Sequence, residues 1–255
     1  MDLMTVLGLV VGVGAIYIVM LHGEVVYLLV NLDAAILVFG GTLGSTLIAF
    51  PFRSIKQIPR AIKLIFFPPP KIDIDSLVKE LISVSATAKR GGFMALASAS
   101  PSIKDSFFLT NIKKIADGVE KDIIIENMRQ EIFSVAQRHE RTSGIFQAMA
   151  TFAPIFGLLG TLIGVIQVLK NLQDPQSMGA SMAIAVTTTF YGIFGANFLF
   201  LPASMKLGEY SSDEIVAKEL IAEGLESALN KEVPSITSHR LEAFLSKKIR
   251  KNQKK

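Results

Sequence analysis

From Ile145 to Leu169 the chain runs for 25 residues without a charged side chain, IFQAMATFAPIFGLLGTLIGVIQVL. After KNLQDPQSMG it goes back for another uncharged run, Ala180 to Met205, ASMAIAVTTTFYGIFGANFLFLPASM. At a rise of about 1.5 Å per residue, each run as a helix crosses a hydrocarbon layer roughly 30 Å thick. Neither is a plain apolar anchor. Pro154, Gly157, Thr161 and Gly164 fall near one face of the first run, and Ser181, Ala185, Thr188, Gly192 and Ala196 on one face of the second. Small and hydroxyl residues on a stripe let two backbones approach closely, or they line a narrow polar path. Packing is the commoner reason for such a stripe. The prolines tilt the reading towards a path: Pro154 and Pro202 leave the carbonyls of Ala150 and Phe198 without their helical donors, and lipid supplies no replacement.

Two further uncharged runs precede these, Leu3 to Leu21 and about Ala34 to Phe52. The first has no basic segment before it and no small-residue cleavage site after it, so it is expected to be retained. Its Gly8 and Gly12 form a weak helix-packing signal, and Gly40, Gly41 and Gly44 give the second the same capacity. Half of the residues are apolar, mean hydropathy is +0.46, and charge makes up 19% of the chain, as a membrane protein requires. Lys and Arg are absent between spans one and two, and only Lys170 borders the turn between spans three and four. Arg53, Lys56, Arg60 and Lys63 follow span two with no acid among them, and the chain ends SKKIRKNQKK. The excess of positive charge on the inner side then puts both termini and the long middle segment in the cytoplasm.

The expected architecture is an all-α integral membrane protein with four transmembrane helices and a helical cytoplasmic domain. Spans one and two occupy 1–52, the cytoplasmic loop domain 53–144, spans three and four 145–207, and C-terminal helices with a basic tail 208–255. Within the loop domain, Leu77, Leu81, Val84 and Ala88 repeat at helical spacing after the stiff PPP at 68–70. Asp75 is the expected cap and Gly91-Gly92 the expected stop. A second run carries Phe108, Ile112 and Ile115 and ends at Asp117-Gly118. A third, with Ile124, Met128, Ile132 and Val135 on one face, has no strong breaker before span three, so it should continue that span into the cytoplasm. Ile215 to Leu229 should likewise continue span four. No strand signal stands out.

The absences matter as much. No Asp, Glu, Lys, Arg or His lies inside any span, although Asp2 and Asp33 sit at span ends. A carrier of ions or protons usually needs an ionisable group at depth, so either this chain moves no ions or a partner's membrane helix brings that group. Thr161, Thr187, Thr188 and Thr189 offer hydroxyl oxygens to such a site but do not titrate. There is no Cys, and the three histidines are scattered, so no thiolate chemistry or His-based metal centre is expected. No phosphate-binding loop, catalytic triad or resident cofactor signature is present, and the chain reads as no enzyme. Its net charge of +4 comes partly from membrane-flanking segments and does not suggest nucleic-acid binding.

The segments MDLMTVLGLVVG, AILVFGGTLGS, AKRGGFMALA, APIFGLLGTLIGVI and MAIAVTTTFYGIFGANFLFLP, in that order, resemble the MotA/PomA family of flagellar motor stator subunits. The resemblance covers nearly the whole chain, including LQDPQSMG and VPSITSHRLEAFL. It implies a ring oligomer of five copies around two copies of a single-span MotB/PomB partner in the bacterial inner membrane. That partner supplies the ion-carrying Asp, and ion flow, of protons or sodium, turns the ring against the rotor protein FliG. Pro154 and Pro202 match the family's two functional prolines. Thr161, Thr188 and Thr189 match threonines near the ion path, and a transient sodium at Thr161 and Thr188 is one reading of them. Lys89 and Arg90 match the basic rotor-facing pair.

Two departures stand out. Ala97 occupies the position of the family's acidic rotor-facing residue. In the first external loop, where PomA carries Asp, this chain has Asn31, with Asp33 two residues on. The alternative within the same wider group is a TolQ/ExbB-type proton-channel subunit that energises an outer-membrane process, normally with three spans. The alternative of another class is a structural membrane scaffold whose prolines and threonines only pack.

Overall fold

The computed structural model describes residues 2–23, 26–70, 73–98 and 105–244, and among these residues every regular element is helical. The chain forms two compact units, one from Met1–Pro69 and His139–Glu209, the other from Pro70–Arg138 and Tyr210–Lys255.

In the first unit, α1 spans Leu3–His22 and is capped by Asp2, whose carboxylate accepts from the Met4 amide at 3.2 Å. A short 3₁₀ turn at Val26–Leu29 leads to α2, Leu32–Ala49, capped by Asn31, whose side-chain oxygen accepts from the Ala34 amide at 3.0 Å. Phe50 ends α2 in an extended conformation, φ −122° and ψ 138°. That is where the Pro51 ring forces the residue before it. After a turn at Phe52–Ile55 comes α3, Ile58–Phe66, with Pro59 in its first turn, where a missing N–H costs nothing.

Residues 53–69 therefore group with the spans. Ala61 and Ile65 of α3 bury themselves against Phe146, Ala203 and Leu207.

In the second unit, α4 spans Ile74–Ser98 and α5 spans Ser106–Ala116. The α4 cap is Asp73 and not Asp75: the Asp73 carboxylate accepts from the Asp75 amide at 3.1 Å. Asp75 is one turn position too late for that job. The stop expected at Gly91-Gly92 is a break instead. Gly92 sits at φ 71°, ψ −175°, after which the chain resumes a helical path to Ser98. The α5 helix ends as expected at Asp117, followed by Gly118 at φ 76°, the left-handed position glycine fills without strain.

The third helix of the middle segment and span three form one element, α6, Lys121–Lys170, of 50 residues. Span four and its extension are also continuous. This element, α7, runs Pro175–Phe194, then a π-helical stretch Gly195–Phe200, then Leu201–Leu229. A last helix, α8, covers Pro234–Leu241.

The second unit has a conventional core, in which Leu81, Phe107, Phe108, Ile124, Leu220 and Leu225 are all within 1% of complete burial. The α8 helix docks through a buried polar chain. Thr237 shares hydrogen bonds with Ser85 at 2.9 Å and Ser227 at 2.6 Å, and Ser227 donates to Glu232 at 2.7 Å. Arg240 then bridges Glu232, Glu226 and Glu223. With every hydroxyl partnered, the desolvation penalty of this polar core is met.

Candidate functional site

Among the described residues, four helices are long and apolar enough to cross a membrane. Spans three and four, the parts of α6 and α7 at 145–169 and 180–205, meet along the stripes of small residues read in the sequence. A Cβ on Gly157 would meet the Thr188 carbonyl at 2.9 Å, and one on Gly192 would meet the Ala153 carbonyl at 2.7 Å and the Pro154 Cα at 3.2 Å. One on Gly164 would meet the Ser181 carbonyl at 2.9 Å, and one on Gly160 would run into the Thr188 side chain. Backbone lies on backbone along this seam, which only glycine permits. Ser181, Ala185, Thr188 and Ala196 are buried in the first unit, as the stripe on span four suggested.

The threonines converge on one carbonyl. The Ala185 oxygen has the hydroxyl of Thr188 at 2.9 Å and those of Thr161 and Thr189 each at 3.3 Å. Thr161 and Thr189 are also hydrogen-bonded to each other, and Thr161 lies 3.2 Å from the Gly157 carbonyl. Each hydroxyl has a single proton, so the set exchanges donors while keeping several oxygen lone pairs directed into the seam. Thr188 is wholly buried, whereas Thr161 and Thr189 are half-buried. Chemically this is a neutral, oxygen-rich cluster in an apolar slab. It suits a hard cation or an ordered water, and it holds no group that changes charge.

Pro154 lies beside Gly192, further along the same seam. Pro202 is exposed and lies one residue beyond the Leu201 that closes the π stretch. There the Leu201 amide bonds the Ala196 carbonyl, five residues back. Pro202 has no N–H to give the Phe198 carbonyl, and the ladder widens just before that gap. A second π stretch, Ile36–Gly40 in α2, lies against it: a Cβ on Gly195 would stand 3.2 Å from the Phe39 ring, and Phe39 packs on Tyr191 with centroids 6.1 Å apart. Sequence reasoning gave no hint of either widened turn.

Nor did it single out Tyr191. Its hydroxyl donates to the Leu29 carbonyl and lies 3.4 Å from the Asn31 amide, fixing the connection between spans one and two onto span four. Asn31 itself caps α2, and Asp33 is exposed in the first turn of that helix. At the other end of these helices, Lys206 pairs with Asp2 and with the Thr5 hydroxyl. Lys206 holds the Asp2 carboxyl below its usual range, and Thr5 adds to that effect. In the second unit, Lys89 and Arg90 are exposed, three and two residues before the Gly92 break. The side chain of Ala97 lies outside the described residues, as does the basic tail after Phe244. Among the described residues, no group of three or more His, Cys, Asp or Glu could hold a metal.

A model of the MotA/TolQ/ExbB proton channel family matches residues 99–220. The chain is 31% identical to a Motility protein A of Borreliella burgdorferi over 98% of this chain and 96% of that one. It is 30% identical to a Motility protein A of Cereibacter sphaeroides over 100% of this chain and 99% of that one. In three dimensions it superposes on a chain of the flagellar MotAB stator complex from Bacillus subtilis with a TM-score of 0.88, at 27% identity and 98% coverage of both chains. Four membrane-length helices with uncharged interiors, a seam of glycine and threonine with a proline at its edge, and identity sustained from end to end together show that the chain belongs to the MotA/PomA family of flagellar motor stator subunits.

Proposed function

We propose that this multi-pass inner-membrane protein works as a flagellar stator subunit, assembling with a MotB/PomB-type partner into a ring that conducts ions and turns ion flow into torque. The end-to-end likeness to a MotAB stator chain carries this reading. Four membrane-length helices also favour it over the three-span TolQ/ExbB alternative. The ring has five copies, both termini and the second unit face the cytoplasm, and the second unit acts on FliG. The charge-free interior of the spans supports a partner that brings the titrating carboxylate.

In this mechanism the seam oxygens of Thr161 and Thr189 replace part of the hydration shell of the ion next to that carboxylate. Thr188, buried behind them, holds the Ala185 carbonyl in place. Dehydrated sodium gains from such a cluster, whereas a proton needs no oxygen cage, so the coupling ion is sodium. Pro154 and the Pro202 π turn let α6 and α7 bend while their seam stays closed. Lys89 and Arg90 form a basic patch towards acidic groups on FliG. Asn31 and Asp33 shape the outer entrance, with Asn31 fixed by its cap and by Tyr191.

The test is swimming speed of a stator-deleted host given this chain and its partner. The expected result is speed that follows sodium concentration and falls in Thr161→Ala without loss of membrane protein. Motility indifferent to sodium but abolished by a proton uncoupler overturns the ion assignment alone. No motility with any partner, at normal expression, overturns the stator reading. Reversing both charges at Lys89 and Arg90 to Glu is expected to stop rotation while conductance persists.

A further inference from the structure

The helix α3 has a face that the stator reading does not use. It is held firmly: Ala61 and Ile65 are buried against Phe146, Ala203 and Leu207, and the Phe66 carbonyl accepts from the Asp2 amide at 3.3 Å. At its other end, the Thr142 hydroxyl donates to the Gln57 side chain at 2.7 Å. What this fixed helix leaves outward is ordered by its 3.6-residue period. Going round from the buried sector come Ile62 and Phe66, 44% and 37% exposed, and then Lys63 and Arg60, both exposed. Arg53 and Lys56, both exposed, precede α3 in the short turn that leads into it, with the Lys56 ammonium 4.8 Å from the centre of the Phe52 ring. No acid occurs between Asp33 and Asp73, so nothing in this stretch neutralises these four cations.

We propose that α3 is a binding site for anionic phospholipid: the outward apolar residues enter the acyl boundary, and Arg53, Lys56, Arg60 and Lys63 take the phosphate of the headgroup. Continuity decides the occupant. Only Phe50 and Pro51 separate the end of span two from the turn that opens this segment, so it emerges at the level where headgroups lie. An apolar sector flanked by a cationic one is the pattern of a helix lying in that interface. Charge complementarity then selects anionic over zwitterionic lipid, with attraction that adds per cation near the surface. The proposal rests on the membrane-spanning character of the chain and not on the ion or the rotor contact.

The experiment titrates the full-length chain, in a neutral detergent, with phosphatidylglycerol or phosphatidylcholine and follows its thermal midpoint. A ligand that binds only the folded form raises that midpoint by mass action, with the logarithm of 1 + [L]/Kd. Phosphatidylglycerol is expected to raise it and phosphatidylcholine to leave it unchanged. Arg60→Gln with Lys63→Gln, which keeps Arg53 and Lys56 to hold orientation, should weaken the apparent affinity roughly tenfold or more. Lys113→Gln with Lys114→Gln, cations of the second unit, should leave it intact. Equal responses to the two lipids overturn the proposal, as does a double variant at 60 and 63 that behaves like the one at 113 and 114. So does an equal response to glycerophosphoglycerol, which makes the site one for soluble phosphate esters, or no response because a second copy covers α3. Should the 60/63 variant fold poorly, Lys63→Gln alone and the salt dependence of the wild-type response decide the matter, since a headgroup contact weakens with ionic strength.

Discussion

The two units of this chain bury themselves in opposite ways. Among the described residues, of the eleven largest side chains that are fully buried only Ile145 belongs to the first unit; Phe107, Phe108, Leu81, Leu220 and the rest belong to the second. The second unit is assembled in water, where each apolar side chain withdrawn contributes roughly 1.5–3 kcal/mol. Among lipid tails that drive is absent between helices, because a leucine is no better off against protein than against an acyl chain. The first unit therefore relies on what lipid cannot supply: backbone contact at Gly157, Gly164 and Gly192, and hydroxyls satisfied at the Ala185 carbonyl. Its large apolar residues, Leu158 and Ile166 among them, point outward instead.

The largest expected effect follows from that contrast. Gly192→Leu sets a side chain against the Ala153 carbonyl, 2.7 Å from the new Cβ, and backbone cannot step aside. The loss should reach about 3 kcal/mol or more, seen as disappearance of the monodisperse peak of a fluorescently tagged protein in detergent. Next comes a pair of equal deletions in the two units. Leu225→Ala, in the second core, should lose about 2–5 kcal/mol, whereas Leu158→Ala, on an exposed face of span three, should change stability by less than about 0.5 kcal/mol. Similar shifts in thermal midpoint for both would end the comparison.

Pro154→Leu and Pro202→Leu sharpen it in another direction. Each restores a missing helical donor, so stability should hold within about 1 kcal/mol while torque is lost. Membrane level, partner pull-down and swimming scored together separate that outcome from a packing defect, and normal swimming in both refutes it. The smallest effect concerns Asp2. Its carboxyl is held below the ordinary 3.8 chiefly by the Lys206 hydrogen bond, then by Thr5. The stabilisation is therefore fully present above that value and is lost as pH falls through the lower native pKa. Asp2→Asn should lower the midpoint at neutral pH, and the gap to the wild type should close in acid. A gap that stays constant with pH assigns the effect to the cap geometry alone.

The spans were legible because a helix that faces water on one side needs charged residues every turn or two, and these runs carry none. The small-residue stripes were legible because helical period carries them. The stop of α5 could be read because Asp117 and Gly118 act on their neighbours, whereas its cap at Asp105 was visible only in the structure. Where two acids compete within three residues, as at Asp73 and Asp75, composition does not choose between them; the geometry of the first turn does. The Asp2–Lys206 pair joins residues 204 positions apart, and Tyr191 reaches back 162 to Leu29, separations at which periodicity says nothing. The convergence of Thr161, Thr188 and Thr189 on the Ala185 carbonyl needs the relative rotation of two helices, which neither stripe contains by itself.

The paired π turns at Ile36–Gly40 and Gly195–Phe200 have a spectroscopic consequence. A carbonyl whose bond is lengthened or missing stretches at higher frequency than one in a regular ladder. An isotope-edited amide I band from a label at Phe198, the carbonyl deprived by Pro202, should stand apart from the helical envelope. If the bend at this point changes while the motor works, that single band shifts in step with it, giving a local clock for the stroke that reads bond length without a probe attached to any side chain.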